Sequence, residues 1–230
     1  SIVNNYYVGT IWVENTSDFE LKTWKQNGTL RSDLYYKSYD DYNSDSFLAQ
    51  GGICVLRDKN DFDSFMEDTM KAGHYENRKE SVEIMINSSR DIINELIGYG
   101  VDFATKDGEL DYTREGAHSK PRILFHEDIT GKEITSTLLD EVRKLENVTI
   151  MEYITMTDII EKDNVCYGVL AKDANNNEMC IEAGYTIFAC GGIGGLYAHS
   201  TNYPHLTGDA IAIAIQHGIK LENVDYVQIH

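Results

Sequence analysis

Residues 112–122 concentrate groups that can bind anions and transfer protons. The segment Tyr-Thr-Arg-Glu-Gly-Ala-His-Ser-Lys-Pro-Arg places Glu115, His118 and three cations within nine residues. Cations bind carboxylates through charge-assisted hydrogen bonds, and a carboxylate or an imidazole can act as a general acid or base. The composition therefore suits a dicarboxylate site with a proton-transfer group, although an exposed charged loop would contain the same residue types.

Two glycine-rich segments could bring bare backbone against a ligand. The first, Ser-Phe-Leu-Ala-Gln-Gly-Gly-Ile at residues 46–53, leaves the N–H groups of paired glycines open to an anion or a ring carbonyl. A tight turn is the alternative interpretation. The second, Ile-Phe-Ala-Cys-Gly-Gly-Ile-Gly-Gly-Leu-Tyr at residues 187–197, follows an apolar strand, and open α/β sheets bind ligands at the carboxyl ends of their strands. Thr-Gly-Asp at residues 207–209 then opens a helix, where phosphate or ribitol contacts are common.

The surrounding pattern predicts an α/β fold with a largely parallel sheet. Apolar runs predict strands at residues 6–13, 29–37, 148–160, 165–171, 179–189 and 224–229. Helical spacing predicts helices at about residues 15–26, 61–73, 77–99, 130–142 and 209–217. The first two strands and the helix between them form a βαβ outline, and residues 173–177 form a hairpin turn.

The net charge of −18, from 38 acidic and 20 basic residues, argues against nucleic-acid and anionic-membrane partners. The acidic residues of the helix at 61–73, such as Asp61, Asp63, Glu67 and Asp68, are expected to form a solvated face. The longest apolar run is too short to span a bilayer, and the first residues lack the basic region of a signal peptide.

The four cysteines, Cys54, Cys166, Cys180 and Cys190, show no CxxC spacing and lie in apolar surroundings. This pattern predicts reduced core residues in a cytoplasmic protein rather than a disulfide framework or a zinc site. We therefore expect no metal in this chain.

Taken in order, the motifs resemble the L-aspartate oxidase family, which belongs to the succinate dehydrogenase and fumarate reductase flavoproteins. The matching segments are Ser-Phe-Leu-Ala-Gln-Gly-Gly-Ile, Thr-Arg-Glu-Gly-Ala-His-Ser, and Gly-Gly-Ile-Gly-Gly-Leu-Tyr followed by Thr201-Asn202 and Gly208-Asp209. The resemblance covers about residues 37–230. It implies a Rossmann-like FAD-binding domain with a parallel sheet and an additional β-meander or hairpin.

The resemblance also implies an activity. Members of this family oxidise L-aspartate to iminoaspartate in quinolinate and NAD biosynthesis, with hydride transfer from the substrate to FAD. Oxygen or fumarate is the electron acceptor, and quinolinate synthase is a candidate partner. The flavin carries the redox chemistry, while the protein supplies orientation and charge.

The site residues follow from the same motifs. Glu115 matches the family's catalytic acid/base, and His118 lies beside it. The residues that match cofactor-binding positions or would line FAD are Lys37, Asp45, Ser46, Ala49, Gln50, Gly51, Gly52, Gly191, Gly192, Gly194 and Asp209. Asp45 occupies the position at which the membrane-bound relatives attach FAD covalently through a histidine, so the resemblance implies non-covalent FAD.

The chain departs from the family pattern near its start. Where the family has GxGxxG, residues 14–19 are Glu-Asn-Thr-Ser-Asp-Phe, whose carboxylates disfavour a pyrophosphate. We expect residues 1–230 to be a partial FAD-binding domain, without the capping and C-terminal helical domains, and inactive as an isolated fragment. The alternatives are a soluble fumarate reductase-like oxidoreductase and a degenerate, non-catalytic flavin-domain module.

Overall fold

A computed structural model of the chain describes the backbone of residues 7–10, 24–26 and 29–36, and residues 44–227 in full. Lys37, residues 14–19 and most of the helix predicted from residue 15 lie outside the described residues. The chain divides into two compact units: Ser1–Ser46 with Val142–His230, and Phe47–Glu141. We call these the sheet unit and the helical unit.

The element bounds are as follows. The described strands are β1 (Tyr7–Thr10), β2 (Trp24–Gln26), β3 (Thr29–Tyr36), β4 (Ile53–Cys54), β5 (Thr105–Lys106), β6 (Glu109–Leu110), β7 (Ile123–Leu124), β8 (Val148–Glu152), β9 (Thr155–Lys162), β10 (Val165–Lys172), β11 (Glu178–Glu182) and β12 (Ile187–Ala189). The described α-helices are α1 (Asp45–Leu48), α2 (Phe62–Ala72), α3 (Lys79–Gly98), α4 (Thr130–Arg143) and α5 (Asp209–Gln216). Short 3-10 helices lie at Lys59–Asp61 and Gly194–Leu196.

The main sheet of the sheet unit has five strands in the order β12-β1-β3-β2, and β8 also pairs with β3. The mixed α/β class is confirmed, but the expectation of a largely parallel sheet is wrong for the described strands. β3 and β8 are parallel, whereas β1 runs antiparallel to both β3 and β12. The βαβ outline is therefore also wrong, because such a unit requires parallel strands.

The segment that ends in Gln26 is a strand and not the end of the predicted helix. β2 pairs antiparallel with β3, with Gln26 opposite Thr29, and only Asn27-Gly28 lies between the two strands. Asn-Gly is the strongest short-range signal for a two-residue hairpin. The sequence between the two strands is therefore in keeping with their antiparallel pairing.

A second sheet in the sheet unit is an antiparallel meander in the order β11-β10-β9. Its core includes Met156, Ile159 and Val169, and Ile213 of α5 packs into the same cluster. The predicted hairpin turn is confirmed, because Asp173 Oδ1 accepts hydrogen bonds from the backbone N–H groups of Asn175 and Asn177. This meander corresponds to the additional hairpin that the resemblance implied.

Two predicted strands are interrupted, and a third is wrong over its described part. The run at residues 148–160 breaks at Tyr153, where φ is 59°, so that β8 and β9 enter different sheets. The run at residues 179–189 similarly divides into β11 and β12. Val224 and Asp225 lie in a turn, and Tyr226 N–H donates to Asn223 O across 3.1 Å. Apolar composition alone did not reveal these interruptions, and in the last of them Asn223 has a φ of 57°.

The helices predicted at residues 61–73, 77–99, 130–142 and 209–217 are confirmed within a few residues of their bounds. α3 buries Val82, Ile86, Ile93 and Leu96, whose spacing places them on one face of a helix. Ile97, predicted to belong to this face, is 41% exposed. In the helical unit, Leu124 is fully buried and shares a core cluster with Ile93 and Leu96.

The cysteine prediction needs one correction. All four cysteines are free, but Cys180 is exposed because β11 alternates between exposed and half-buried positions. The other three are half-buried. Among the described residues, no helix has both the length and the hydropathy needed to cross a membrane.

Candidate functional site

The helical unit brings the first glycine segment and the Thr-Arg-Glu segment together through β7. Ile123 lies opposite Cys54 of β4 and also forms a bridge with Thr113. This pairing places Gly51 next to Glu115, and a Cβ added to Gly51 would lie 3.5 Å from Glu115 Oε2. Both residues are exposed. Two motifs 64 positions apart in the sequence therefore present bare backbone and a carboxylate at one place.

The rest of the first glycine segment is fixed by backbone contacts. A Cβ on Gly52 would come within 2.2 Å of Leu124 O, so only glycine fits against β7. Ala49 O accepts a 2.8 Å hydrogen bond from Gly131 N–H in the first turn of α4. Ala49 and Gln50 are exposed. The segment is therefore an anchored turn with an open edge, which combines both interpretations of its sequence.

A tight turn connects Glu115 to His118. His118 N–H donates to Glu115 O across 3.3 Å, and Ala117 has a φ of 67°. Such a φ at the third residue is typical of a type II turn, where glycine is usual. The turn directs the half-buried His118 ring towards α2, where it meets the edge of Phe65 at 5.9 Å between ring centroids.

Arg122 lies at the centre of a buried polar cluster. Its side chain is fully buried, and its guanidinium donates to both carboxylate oxygens of Asp61, at 3.1 and 2.9 Å, and to Asp68. It also lies 4.8 Å from the centroid of the Phe65 ring. The prediction that Asp61 and Asp68 belong to a solvated face is therefore wrong. Asp61 directly precedes α2, and its spacing from Phe65 and Asp68 places all three on the inner side of this segment, whereas Asp63 and Glu67 are exposed.

These ion pairs change the interpretation of the cationic segment. Arg122 is held by two carboxylates, and Lys120 Nζ lies 3.5 Å from Asp61 Oδ1. Of the three cations expected near a dicarboxylate, two are thus paired with Asp61, while Arg114 is exposed. The sequence could not reveal this, because Asp61 and Arg122 are 61 positions apart.

The cluster shifts the pKa values of its members. Burial acts to raise the pKa of Asp61, but the hydrogen bonds from Arg122 and Ser64 and the positive charge of Arg122 outweigh it and hold that pKa at about 2. Burial likewise acts to raise the pKa of Asp68, but the hydrogen bonds from Arg122 and Ser119 outweigh it, so the pKa of Asp68 is lowered. The pKa of His118 is lowered, chiefly by burial and then by the positive charge of Arg122. The negative charges of Asp68, Glu115 and Asp61 act to raise it but do not outweigh these two causes.

In the sheet unit, Asp45 ties α1 to the loop that follows the second glycine segment. Its carboxylate accepts hydrogen bonds from Asn202 Nδ2 and from Tyr203 N–H, the latter at 3.1 Å. Sequence reasoning placed Asn202 in a motif but did not identify it as a contact of Asp45. Ser46 follows in α1 and is half-buried.

The glycines that follow β12 have different structural reasons to be glycine. A Cβ on Gly194 would lie 1.9 Å from Asn202 Oδ1, and one on Gly195 would lie 2.6 Å from Pro204 O. Gly191 has a φ of 72°, which favours glycine. A Cβ on the exposed Gly192, in contrast, would meet no described atom within 4 Å. No described neighbour therefore requires glycine at position 192.

The helix that follows begins with the predicted Thr-Gly-Asp segment. Gly208 has a φ of 72° at the N-terminus of α5, and its Cβ position lies 2.6 Å from Ile193 Cγ2. Thr207 Oγ1 donates to Asp209 Oδ1 across 2.7 Å. Across the described part of the chain, no group of three His, Cys, Asp or Glu side chains is arranged to hold a metal ion.

Comparison with known proteins then gives the family. Residues 38–230 match the FAD binding domain family. The chain belongs to this family. Its members' cofactor is FAD. Each unit, taken by itself, carries exposed backbone that is compatible with this group, at Gly192 in the sheet unit and at residues 49–52 in the helical unit.

Curated proteins that are similar in sequence to this chain are named L-aspartate oxidase. The chain is 45% identical to the L-aspartate oxidase of Clostridium perfringens over 185 residues, which are 80% of this chain and 42% of that protein. It is also 45% identical to the L-aspartate oxidase of Clostridium acetobutylicum over 186 residues, 80% of this chain and 43% of that protein. The chain thus spans less than half the length of these relatives.

Solved structures share the fold. Mycobacterium smegmatis Sdh1 in complex with UQ1 matches with a TM-score of 0.74 at 28% identity, over 81% of this chain and 34% of that chain. A quinol-fumarate reductase with menaquinol molecules matches with a TM-score of 0.78 at 24% identity, over 83% of this chain and 33% of that chain.

Proposed function

We propose that residues 1–230 are part of the FAD-binding domain of an L-aspartate oxidase, an FAD-dependent enzyme that converts L-aspartate to iminoaspartate. The observation that carries the proposal is the position of the Glu115 carboxylate beside Gly51, where Oε2 would lie 3.5 Å from an added Cβ. Two features suit the oxidation of an amino acid. The family binds FAD, and Glu115, an acid/base group, lies beside the first glycine segment. The 45% identity to proteins named L-aspartate oxidase selects the substrate.

The chemistry divides between cofactor and protein. FAD, when bound, supplies the acceptor for the two electrons and the hydrogen that leave the substrate α-carbon. Glu115 is exposed and lies at the open edge of the first glycine segment, so its carboxylate can attract the substrate's ammonium group and take the proton that the amine releases. Oxygen or fumarate then receives the electrons, and quinolinate synthase is the proposed consumer of iminoaspartate.

The proposal includes non-covalent FAD. The position that carries a flavin-linked histidine in the membrane-bound relatives is Asp45 here, and its carboxylate binds Asn202 and Tyr203. A carboxylate held in this way cannot replace the imidazole as the site of flavin attachment. Acid should therefore release the flavin from the protein.

A soluble fumarate reductase-like enzyme is the second candidate, since solved structures with that activity in their names share the fold. At identities of 24% and 22%, these structures support a shared fold but not a shared activity. A degenerate module without cofactor is the third candidate, motivated by the Glu-Asn-Thr-Ser-Asp-Phe sequence at residues 14–19.

Substrate profiling of the full-length protein tests the proposal. The expected result is oxygen-dependent formation of iminoaspartate and hydrogen peroxide from L-aspartate, with little oxidation of succinate. Fumarate reduction by a reduced dye without L-aspartate oxidation would favour the second candidate. Absence of both activities in a protein that does not retain FAD would favour the third.

A further inference from the structure

The contact between Arg122 and His118 defines the protonation of the histidine. Arg122 Nη1 lies 3.1 Å from His118 Nδ1. A guanidinium carries only N–H donors and stays protonated, so Nδ1 must be the acceptor in this hydrogen bond. An imidazole whose Nδ1 accepts is neutral and carries its hydrogen on Nε2.

Several other contacts fix the orientation of the Arg122 guanidinium. Besides its three hydrogen bonds to Asp61 and Asp68, Nη2 lies 3.0 Å from Ser64 Oγ. The side chain is fully buried and stacks on the Phe65 ring, and the edge of the same ring packs against His118. Arg122 and His118 are thus fixed relative to each other by a common aromatic neighbour.

Other charges face His118 as well. Asp68 and Asp61 lie on the α2 side, and Glu115 lies in the same turn. These carboxylates favour the protonated imidazole, whereas burial and Arg122 favour the neutral one. Arg122 pairs with both carboxylates on the α2 side and Lys120 Nζ lies 3.5 Å from Asp61 Oδ1, so two cations offset these two charges. Ser119 donates two further hydrogen bonds of 2.7 Å to Asp68. The neutral imidazole is favoured on balance.

We infer that Arg122, held by Asp61 and Asp68, is a positioning residue that keeps His118 in its neutral form with the hydrogen on Nε2. His118 then has no free lone pair and serves the site as a hydrogen-bond donor, not as a proton acceptor. This inference rests on the proposed function for the identity of the bound group, which is a carboxylate of the substrate. Proton transfer is left to Glu115.

Nitrogen NMR of the full-length holoenzyme, labelled with 15N-histidine and recorded without substrate, tests the tautomer directly. A His118→Gln variant identifies the signals of His118 among those of the other histidines. The expected result is a pyridine-like Nδ1 and a pyrrole-like Nε2 that persist as the pH falls through the ordinary histidine pKa. A pyrrole-like Nδ1, or protonation at or above the ordinary histidine pKa, would overturn the inference.

A charge-balanced double variant tests the role of Arg122. Asp68→Asn with Arg122→Gln removes one charge of each sign, so it perturbs the buried cluster less than Arg122→Gln alone. The pKa of His118 should rise towards its ordinary value, and kcat for L-aspartate should fall at least tenfold with FAD still bound. Asp63→Asn, on the exposed side of α2, is the matched control and should leave the His118 signals unchanged.

The outcomes separate this inference from the proposed function. Unchanged His118 signals in the double variant would overturn the role of Arg122, whatever the activity. The predicted tautomer in a wild-type protein that does not oxidise L-aspartate would reject the proposed substrate and leave the positioning intact. If the double variant does not fold, the wild-type spectra and those of Arg122→Lys, which keeps the charge, still decide the tautomer.

Discussion

At the scale of single residues, Asp61 and Arg122 form the buried ion pair of the helical unit. Their side chains are 3% and 0% exposed. Asp61→Asn leaves a buried guanidinium with one fewer charged partner, and we expect the free energy of unfolding to fall by about 3 kcal/mol. Asp63→Asn, on the exposed side of α2, should change it by less than about 0.5 kcal/mol. Urea denaturation of both variants checks this prediction, and equal effects would contradict it.

The same residue sets a pH dependence. The pKa of Asp61 is about 2 in the folded protein, against an ordinary value of 3.8. A lowered carboxylate pKa means that ionised Asp61 stabilises the fold above its unfolded pKa, and this contribution, about 2 kcal/mol, is lost as the pH falls through the folded pKa. The difference in stability between wild type and Asp61→Asn should therefore shrink from about pH 5 to about pH 2. A difference that stays constant over this range would contradict the assignment.

Glu115 carries the proton-transfer prediction. Glu115→Gln keeps the shape of the side chain but cannot accept a proton, so kcat for L-aspartate should fall by about 10² to 10⁴. FAD content should be unchanged. Glu109→Gln, also exposed in the helical unit, is the control and should retain activity. Steady-state kinetics with a flavin spectrum of each variant is the measurement, and an active Glu115→Gln enzyme would reject the role.

What could be predicted about these residues depended on how far apart their partners are. Glu115 and Gly51 were each recognised from local motifs, and the pairing of β4 with β7 brings them together. Asp61 gave no local sign of its partner, because a buried ion pair between positions 61 and 122 depends entirely on tertiary packing. A stretch of acidic residues on a helix therefore looked like a solvated face.

At the scale of elements, the turn from Glu115 to His118 contains a strained residue. Ala117 has a φ of 67°, a conformation that costs an L-residue with a Cβ about 1–2 kcal/mol. Ala117→Gly should therefore raise the free energy of unfolding by up to about 1 kcal/mol, after the entropy that glycine adds to the unfolded chain. Ala104→Gly, at a position without positive φ, should lower it. Thermal unfolding of both variants separates strain relief from a general effect of glycine.

The glycine segment after β12 offers a test that separates cofactor binding from folding. A methyl group on Gly192 meets no described atom, whereas one on Gly52 meets Leu124 O at 2.2 Å. Gly192→Ala should weaken FAD binding at least tenfold and leave the stability of the apoprotein unchanged. Gly52→Ala should destabilise the fold itself. Gly98→Ala, also without a close neighbour, is the control, and FAD titration with unfolding curves checks all three.

The elements themselves were predictable to different degrees. Helices α2 to α5 were located from the sequence because their apolar spacing is a local signal. Strand direction was not, since the pairing of β1 with β3 and β12 depends on distant segments. The break at Tyr153 was also hidden, because the apolar pattern runs on through the residue whose positive φ separates β8 from β9.

At the scale of the whole molecule, the chain matches the FAD binding domain family over residues 38–230 and spans 42–43% of the relatives named L-aspartate oxidase. The family could be predicted because three motifs, each ambiguous alone, occur in one order. Substrate and acceptor could not be read from the fold, which the fumarate reductases share.

The most direct test of the proposed function is an anaerobic absorption spectrum of the full-length protein with FAD, recorded before and after addition of L-aspartate. We expect flavin absorption that co-elutes with the protein, is released by acid, and is bleached by L-aspartate but not by succinate. Readmission of oxygen should restore it. A protein that binds no flavin, or whose bound flavin L-aspartate does not bleach, would contradict the proposal.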